Sequence, residues 1–181
     1  MEAGHHAPSV GYMQPWRFIR ITDQAQRTKL HSIIDAERLL TAETLNERSK
    51  EFMRLKIEGI LDCTEVLVVV LADQRENHIL GRRTMPEMDL ASTACAIQNM
   101  WLTARAEGLG MGWVSFFEPE KLIQLLNMPD DSQPIAILCL GPVDKFDDKP
   151  LLEKTGWAKR ENLQALVFEN SWNERIKNAT K

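Results

Sequence analysis

Hydrophobic and polar positions alternate with two different periods along this chain, and each period predicts a different element. Arg17-Phe18-Ile19-Arg20-Ile21 alternates residue by residue, the pattern of a half-buried strand. From Gln24 to Leu61 the pattern is helical. Leu30, Ile33 and Ile34 start an apolar face, which Phe52, Leu55, Ile57, Ile60 and Leu61 continue beyond a polar break near Thr41 to Asn46. That break predicts two helices rather than one very long one. Val66-Leu67-Val68-Val69-Val70-Leu71 is unbroken and mostly β-branched, as expected of a central strand buried on both faces.

A loop from Asp73 to Met85, containing Gly81-Arg82-Arg83, is long for a compact domain and so is expected to be functional or mobile. Thr84-Met85-Pro86-Glu87 then opens the clearest helix. Thr84 and Glu87 have the spacing of a capping box, Pro86 suits a first turn, and Gly108 stops the helix after Glu107. Small residues, Ala91 to Ala96, occupy its middle on several sides, so other backbones are expected to approach it closely, a partner subunit among them. A strand over Met111 to Phe117, a short helix from Pro119 to Leu126 and a buried strand from Ile135 to Leu140 follow. Asp144 to Lys181 is polar and irregular, yet keeps Trp157, Leu163, Leu166, Val167, Phe168 and Trp172, so it is expected to dock somewhere. The order predicts a single α+β layered domain over residues 1–181, with 144–181 as an extended tail.

Composition narrows the function classes. A length of 181 residues, 44% hydrophobic and 27% charged, is enough for one domain with its own core. The net charge of -4 lacks the basic footprint of a nucleic-acid binder. Val66 to Ala72 is too short an apolar run to span a bilayer, and the first residues do not have a secretory pattern, so no membrane role and a cytoplasmic location are expected. Cys63, Cys95 and Cys139 lie far apart and are expected as small buried hydrophobes in a reducing compartment. No G-x-G-x-x-G follows a strand, and neither a P-loop nor a Gly-x-Ser-x-Gly occurs, which leaves nucleotide-fold, ATPase and hydrolase readings without support.

Most isolated polar residues carry bland readings. His5 and His6 sit near a terminus, where paired histidines are usually solvated; His31 and His78 have no partners at ligand spacing, so no metal is expected. Arg82 and Arg83 are a surface pair or a phosphate clamp. Glu87 and Asp89 share a helix start, where the dipole favours carboxylates. Two segments resist such readings. One is His6-Ala7-Pro8-Ser9-Val10-Gly11 with Gln14-Pro15-Trp16, a loop suited to a flat, polar-edged ligand against backbone. The other is Gly108-Leu109-Gly110-Met111-Gly112-Trp113-Val114-Ser115, where three glycines between helix and strand suggest a sharp turn beside such a ligand.

These segments resemble the nitroreductase-like flavoprotein superfamily. The resemblance rests on Ala7-Pro8-Ser9-Val10-Gly11, Gln14-Pro15-Trp16, Met85-Pro86-Glu87-Met88-Asp89-Leu90, Cys95-Ala96-Ile97-Gln98-Asn99-Met100-Trp101-Leu102 and Gly112-Trp113-Val114-Ser115. Leu138-Cys139-Leu140-Gly141, Gly156-Trp157, Leu166-Val167-Phe168-Glu169 and Trp172 extend it over nearly the whole chain.

The resemblance implies a central sheet flanked by helices, a homodimer with FMN at its interface, and a tail wrapped onto the partner. Gly-Trp-Val-Ser with the Ala-Pro-Ser-Val-Gly loop points to the branch that uses reduced FMN and O2 as substrates and breaks the flavin down to 5,6-dimethylbenzimidazole, the lower ligand of cobalamin. The ribityl carbons would leave as erythrose 4-phosphate, and a separate flavin reductase would supply the reduced FMN. By motif position Ser9, Gly11, Leu90 and Ser115 would contact the flavin, Ser115 would also serve catalysis, and Arg160 would reach the phosphate or ribityl end. The alternatives are an NAD(P)H-dependent reductase of nitro, quinone or halogenated aromatics, and a non-catalytic flavin-binding remnant. That branch places an Arg-Arg-Asp-x-Arg stretch before the Ala-Pro-Ser-Val-Gly loop, its arginines on the flavin phosphate and its aspartate catalytic. This sequence starts after that stretch, through a misplaced start, a shortened piece or a real deletion; if the deletion is real, FMN affinity is expected to fall at least tenfold, about 1.4 kcal/mol, without those clamps.

Overall fold

The structure is a computed structural model that describes residues 1–54 and 59–172. Met1–Val143 and Asp144–Lys181 form two compact units. The first unit opens with α1 (Glu2–His5) and a 3-10 turn at Val10–Tyr12. It continues with β1 (Trp16–Arg20), α2 (Gln24–Thr44), a 3-10 turn at Asn46–Arg48, α3 (Ser49–Phe52), α4 (Gly59–Asp62) and β2 (Glu65–Leu71). A 3-10 turn at Arg75–Asn77 precedes α5 (Met88–Ala106), β3 (Leu109–Val114), α6 (Pro119–Leu126) and β4 (Gln133–Pro142).

The four strands form one antiparallel sheet in the order β1-β2-β4-β3. β2 is flanked on both sides and buried along almost its whole length, as its run of β-branched residues predicts. Its alternate side chains feed two cores. Val66, Val68 and Val70 meet Leu30 and Ile34 of α2, Ile60 of α4 and Leu122 of α6 on one face. Leu67 and Val69 meet Ile97 and Met100 of α5 on the other. The result is a sheet between two helical layers, and each fully buried valine contributes about 1.5–3 kcal/mol relative to exposure.

The polar break falls where the pattern predicts, since α2 ends at Thr44. The Asp23 side chain caps its start by accepting from the Gln26 amide at 2.8 Å. Leu55 and Ile57 lie outside the described residues.

Three expectations need correction. The capping box at Thr84 and Glu87 does not form; α5 starts at Met88, with Glu87 as a cap that makes no side-chain hydrogen bond. Arg82 explains the displacement, because its Nε donates to the Pro86 carbonyl at 3.2 Å and its Nη2 to Asp89 at 3.1 Å. β3 ends at Val114, so Ser115 follows the strand rather than lying in it. The chain leaves the sheet there because Phe116 turns into the core and meets the Phe52 ring edge-on, centroids 5.3 Å apart. Finally, Cys95 is exposed, while Cys63 and Cys139 are half-buried. Cys95 lies on the outer face of α5, away from the buried positions Ala96, Ile97 and Met100.

The second unit contains α7 (Leu151–Lys154) and a 3-10 turn at Leu163–Leu166. Lys154 donates to Asp147 at 2.7 Å, and Phe168 stacks on Trp172 with centroids 4.7 Å apart. Trp172 itself is 81% exposed. Among the described residues no helix is long and apolar enough to cross a membrane.

Candidate functional site

The opening loop is strained and then pinned. Gly11, Tyr12 and Gln14 all have positive φ, at 54°, 54° and 50°. For residues with a Cβ each such position costs about 1–2 kcal/mol. Gly11 is required where it stands, since a Cβ there would lie 2.8 Å from the Leu80 carbonyl oxygen. Two hydroxyls hold the loop in this shape. Ser9 Oγ accepts from the Gln14 amide at 3.0 Å, closing the loop on itself. Ser92 Oγ, on α5, accepts from the Val10 amide at 3.0 Å and donates to the Met88 carbonyl at 2.6 Å. Below the loop, Ala7 and Trp16 pack on Ala96, so the first residues sit directly on α5. The Trp16 indole N–H donates to His5 Nδ1 at 3.4 Å, which gives His5 a structural role.

The start of α5 is organised around Asp89. Its carboxylate accepts from Arg75 Nε at 2.9 Å and from Arg82 Nη2 at 3.1 Å, all three side chains being largely buried. Arg75 also donates to the carbonyls of Ala72 and Asp131, and Arg82 to those of Arg75, His78 and Pro86. The long loop is therefore wound about two guanidiniums and is not loose. Arg75 and Arg82 thus share one carboxylate, and Glu87, the cap residue of α5, adds a second negative charge at this end of the helix. Arg83, next in sequence, is exposed.

The sequence motifs converge here in part. Ser9 and Gly11 reach the start of α5 through the Val10–Ser92 bond, two residues from Leu90, which is 40% exposed. Ser115 is exposed and approaches from another element. β3 follows α5 after Glu107 and Gly108 and packs against it. The strand therefore runs back along the helix, covering about 20 Å of the helix's roughly 28 Å length. That returns Ser115 lengthwise towards the end of α5 that carries Leu90, while β3 and β1, the strand that follows the opening loop, are opposite edges of the sheet. Arg160 lies in the second unit, exposed beside Glu161, Leu163 and Leu166. The residues that sequence reasoning missed are Arg75 and Ser92, and the clamping role of Asp89. Their only signal was the unusual length of the loop before the helix.

The outer face of α5 carries a further feature. Leu90, Trp101 and Leu102 are 40%, 39% and 58% exposed, with Ala91, Cys95 and Gln98 between them. This is an apolar stripe on the longest helix of that layer.

Comparison with known proteins agrees with this architecture. Residues 1–142 match the model of the Nitroreductase family. The chain is 40% identical over 159 residues to a 5,6-dimethylbenzimidazole synthase of Rhodobacter capsulatus, covering 87% of this chain and 76% of that protein. It is also 40% identical over 162 residues to a 5,6-dimethylbenzimidazole synthase of Rhodospirillum rubrum, covering 85% and 74%. Its fold matches that of oxidized iodotyrosine deiodinase bound to FMN and 3-iodo-L-tyrosine, with a TM-score of 0.65 at 21% identity over 82% of this chain and 78% of that one.

Proposed function

Because the chain belongs to the nitroreductase family, we propose that it is a flavin oxidoreductase whose substrate is reduced FMN, degraded with O2 to 5,6-dimethylbenzimidazole. The observation that carries this reading is the strained Ser9–Gln14 loop, tied to α5 by Ser92 beside exposed Leu90. Strained backbone persists only where surrounding structure over-determines it, and it clusters at ligand clamps. Two relatives at 40% identity that are named for this synthesis support it.

The residues fit such a ligand. Exposed Leu90 supplies an apolar surface for a flat ring, and the Gly11 backbone, packed on Leu80 where a side chain would stand, remains exposed on its other side. Arg83, exposed in the loop before α5, is a cation that can approach the phosphate or ribityl end. When bound, reduced FMN supplies both the electrons for O2 reduction and the carbon skeleton of the product. The protein's part is to hold the ring between the Ser9–Gly11 loop and Leu90, keep water from the reacting face, and present the Ser115 hydroxyl as hydrogen-bond donor and acceptor. Homodimerisation belongs to this reading, since the apolar stripe Leu90, Trp101 and Leu102 would be covered by a second copy. A reaction that consumes reduced FMN also needs a flavin reductase to supply it. The free thiol of exposed Cys95 suits a reducing, cytoplasmic setting.

The test is to mix purified chain with chemically reduced FMN in air and search for 5,6-dimethylbenzimidazole by mass spectrometry. Product is expected from the wild-type chain, with strongly reduced yield from Ser115→Ala. Recovery of all the flavin as intact FMN would overturn the proposal. Intact flavin with steady NAD(P)H consumption, stimulated by a nitroaromatic, would establish the family's reductase chemistry instead.

A further inference from the structure

Cys63 and Cys139 are 76 residues apart in sequence and adjacent in space. Cys63 closes the segment before β2, and Cys139 lies on β4 opposite Val66. A Cβ built on Gly141, two residues beyond Cys139, would lie 3.9 Å from the Cys63 Cα. Both sulfurs pack against the same apolar core, and both line one groove with Gly59, Thr64, Gly110 and Gly141. The Cys63 thiol donates to the Glu65 carbonyl at 3.1 Å, and a Cβ on Gly59, one helical turn before Cys63, would lie 3.9 Å from the Cys139 Cβ. Beside them lies the buried guanidinium of Arg27, which donates to the carbonyls of Ile21, Cys63 and Thr64 at 3.2, 2.6 and 3.1 Å.

A half-buried dithiol beside a cation is more than two inert core residues. The groove that both thiols line gives a small oxidant access to each. We propose that Cys63 and Cys139 are a reversible oxidation site, forming an intramolecular disulfide when the protein meets hydrogen peroxide.

The chemistry balances with that one oxidant. The Cys63 thiolate attacks a peroxide oxygen and breaks the O–O bond, giving a sulfenic acid and, after protonation, one water. The Cys139 sulfur then attacks the sulfenic sulfur, forming the S–S bond and releasing the second water. Two thiols and one peroxide become one disulfide and two waters. Burial, with Cys63 alongside, pushes the Cys139 thiol up to about 12. Cys139 is therefore the weaker first nucleophile, which assigns the first attack to Cys63. The bond would fasten the start of β2 to β4, at a place separate from Ser9, Leu90 and Ser115.

Peptide mapping without reduction tests this on the full-length chain after graded hydrogen peroxide treatment. The expected result is a cross-linked peptide pair containing Cys63 and Cys139, lighter by two hydrogen atoms, which a dithiol reductant reverses. Cys95 should stay open to alkylation at peroxide levels that close the pair. Separate sulfinic or sulfonic acids on Cys63 and Cys139, or disulfides through Cys95 alone, would overturn the proposal. Cys139→Ser offers a second measurement: Cys63 should then trap as a sulfenic acid, and its remaining a free thiol would also sink the assignment. If that variant fails to fold, the wild-type map alone decides.

Discussion

Ser92 accepts a hydrogen bond from the Val10 amide at 3.0 Å, joining residues 82 positions apart. It is a side-chain link between the strained opening loop and the helix that presents Leu90. Ser92→Ala removes this bond, worth about 1 kcal/mol, together with the local bond from Ser92 Oγ to the Met88 carbonyl. The loop should then sample other conformations, and FMN binding should weaken about fivefold. Flavin fluorescence quenching measures this. The melting temperature without flavin should fall by only about 2–4 °C, because Ala96, Trp16 and Ala7 still hold the segment on α5.

Asp89 is a structural keystone rather than a simple dipole partner. Asp89→Ala would leave Arg75 and Arg82, 13% and 9% exposed, without their shared carboxylate. Breaking such a pair costs about 3–5 kcal/mol. Urea unfolding should show that loss, and limited proteolysis should show new cleavage in the 73–87 loop. Asp89→Asn keeps an acceptor without the charge and should fall between.

Gly11→Ala tests the loop backbone. The φ of 54° and the close Leu80 carbonyl both oppose a Cβ, so the loop must shift. Stability should fall by about 1–2 kcal/mol. Flavin affinity should fall more than in Ser92→Ala, because the backbone facing the ligand moves. Unchanged affinity would remove Gly11 from the binding surface.

Local and nonlocal features differed in how far the sequence disclosed them. β2 was legible because a run of valines has one good solution, burial on both faces. The end of α5 was legible because Gly108 stops a helix through its own backbone. The start of α5 was not: Thr84 and Glu87 satisfied a local rule, while Arg82, folded back from the preceding loop, engaged Pro86 and Asp89 and moved the cap. An ion pair depends on how its loop is wound, which spacing does not encode. Cys95 was misplaced for a similar reason, since the small residues around it left unclear which side of the helix faces the sheet. The flavin-facing motifs were recognisable as sequence, but the bond that positions them joins Val10 to Ser92 across most of the unit.

The last prediction concerns alkaline stability. Burial is the main reason the Cys139 thiol is pushed up to about 12 from its ordinary value of 9.0; Cys63 adds to the rise and Arg27 opposes it. An unfolded chain therefore releases this proton at lower pH than the folded one. The stabilisation is fully present below about pH 9 and is lost as pH rises towards 12, where the folded thiol also ionises. The loss can reach about 1.4 kcal/mol per pH unit within that window. Other kinds of group also ionise at alkaline pH, so the informative quantity is a difference between variants. Cys139→Ala should be less stable than wild type at pH 7, through its lost packing, yet should lose stability more slowly between pH 9 and 11. Urea unfolding under reducing conditions across that range measures both curves. Parallel curves would mean that Cys139 ionises equally easily in the folded and unfolded chain.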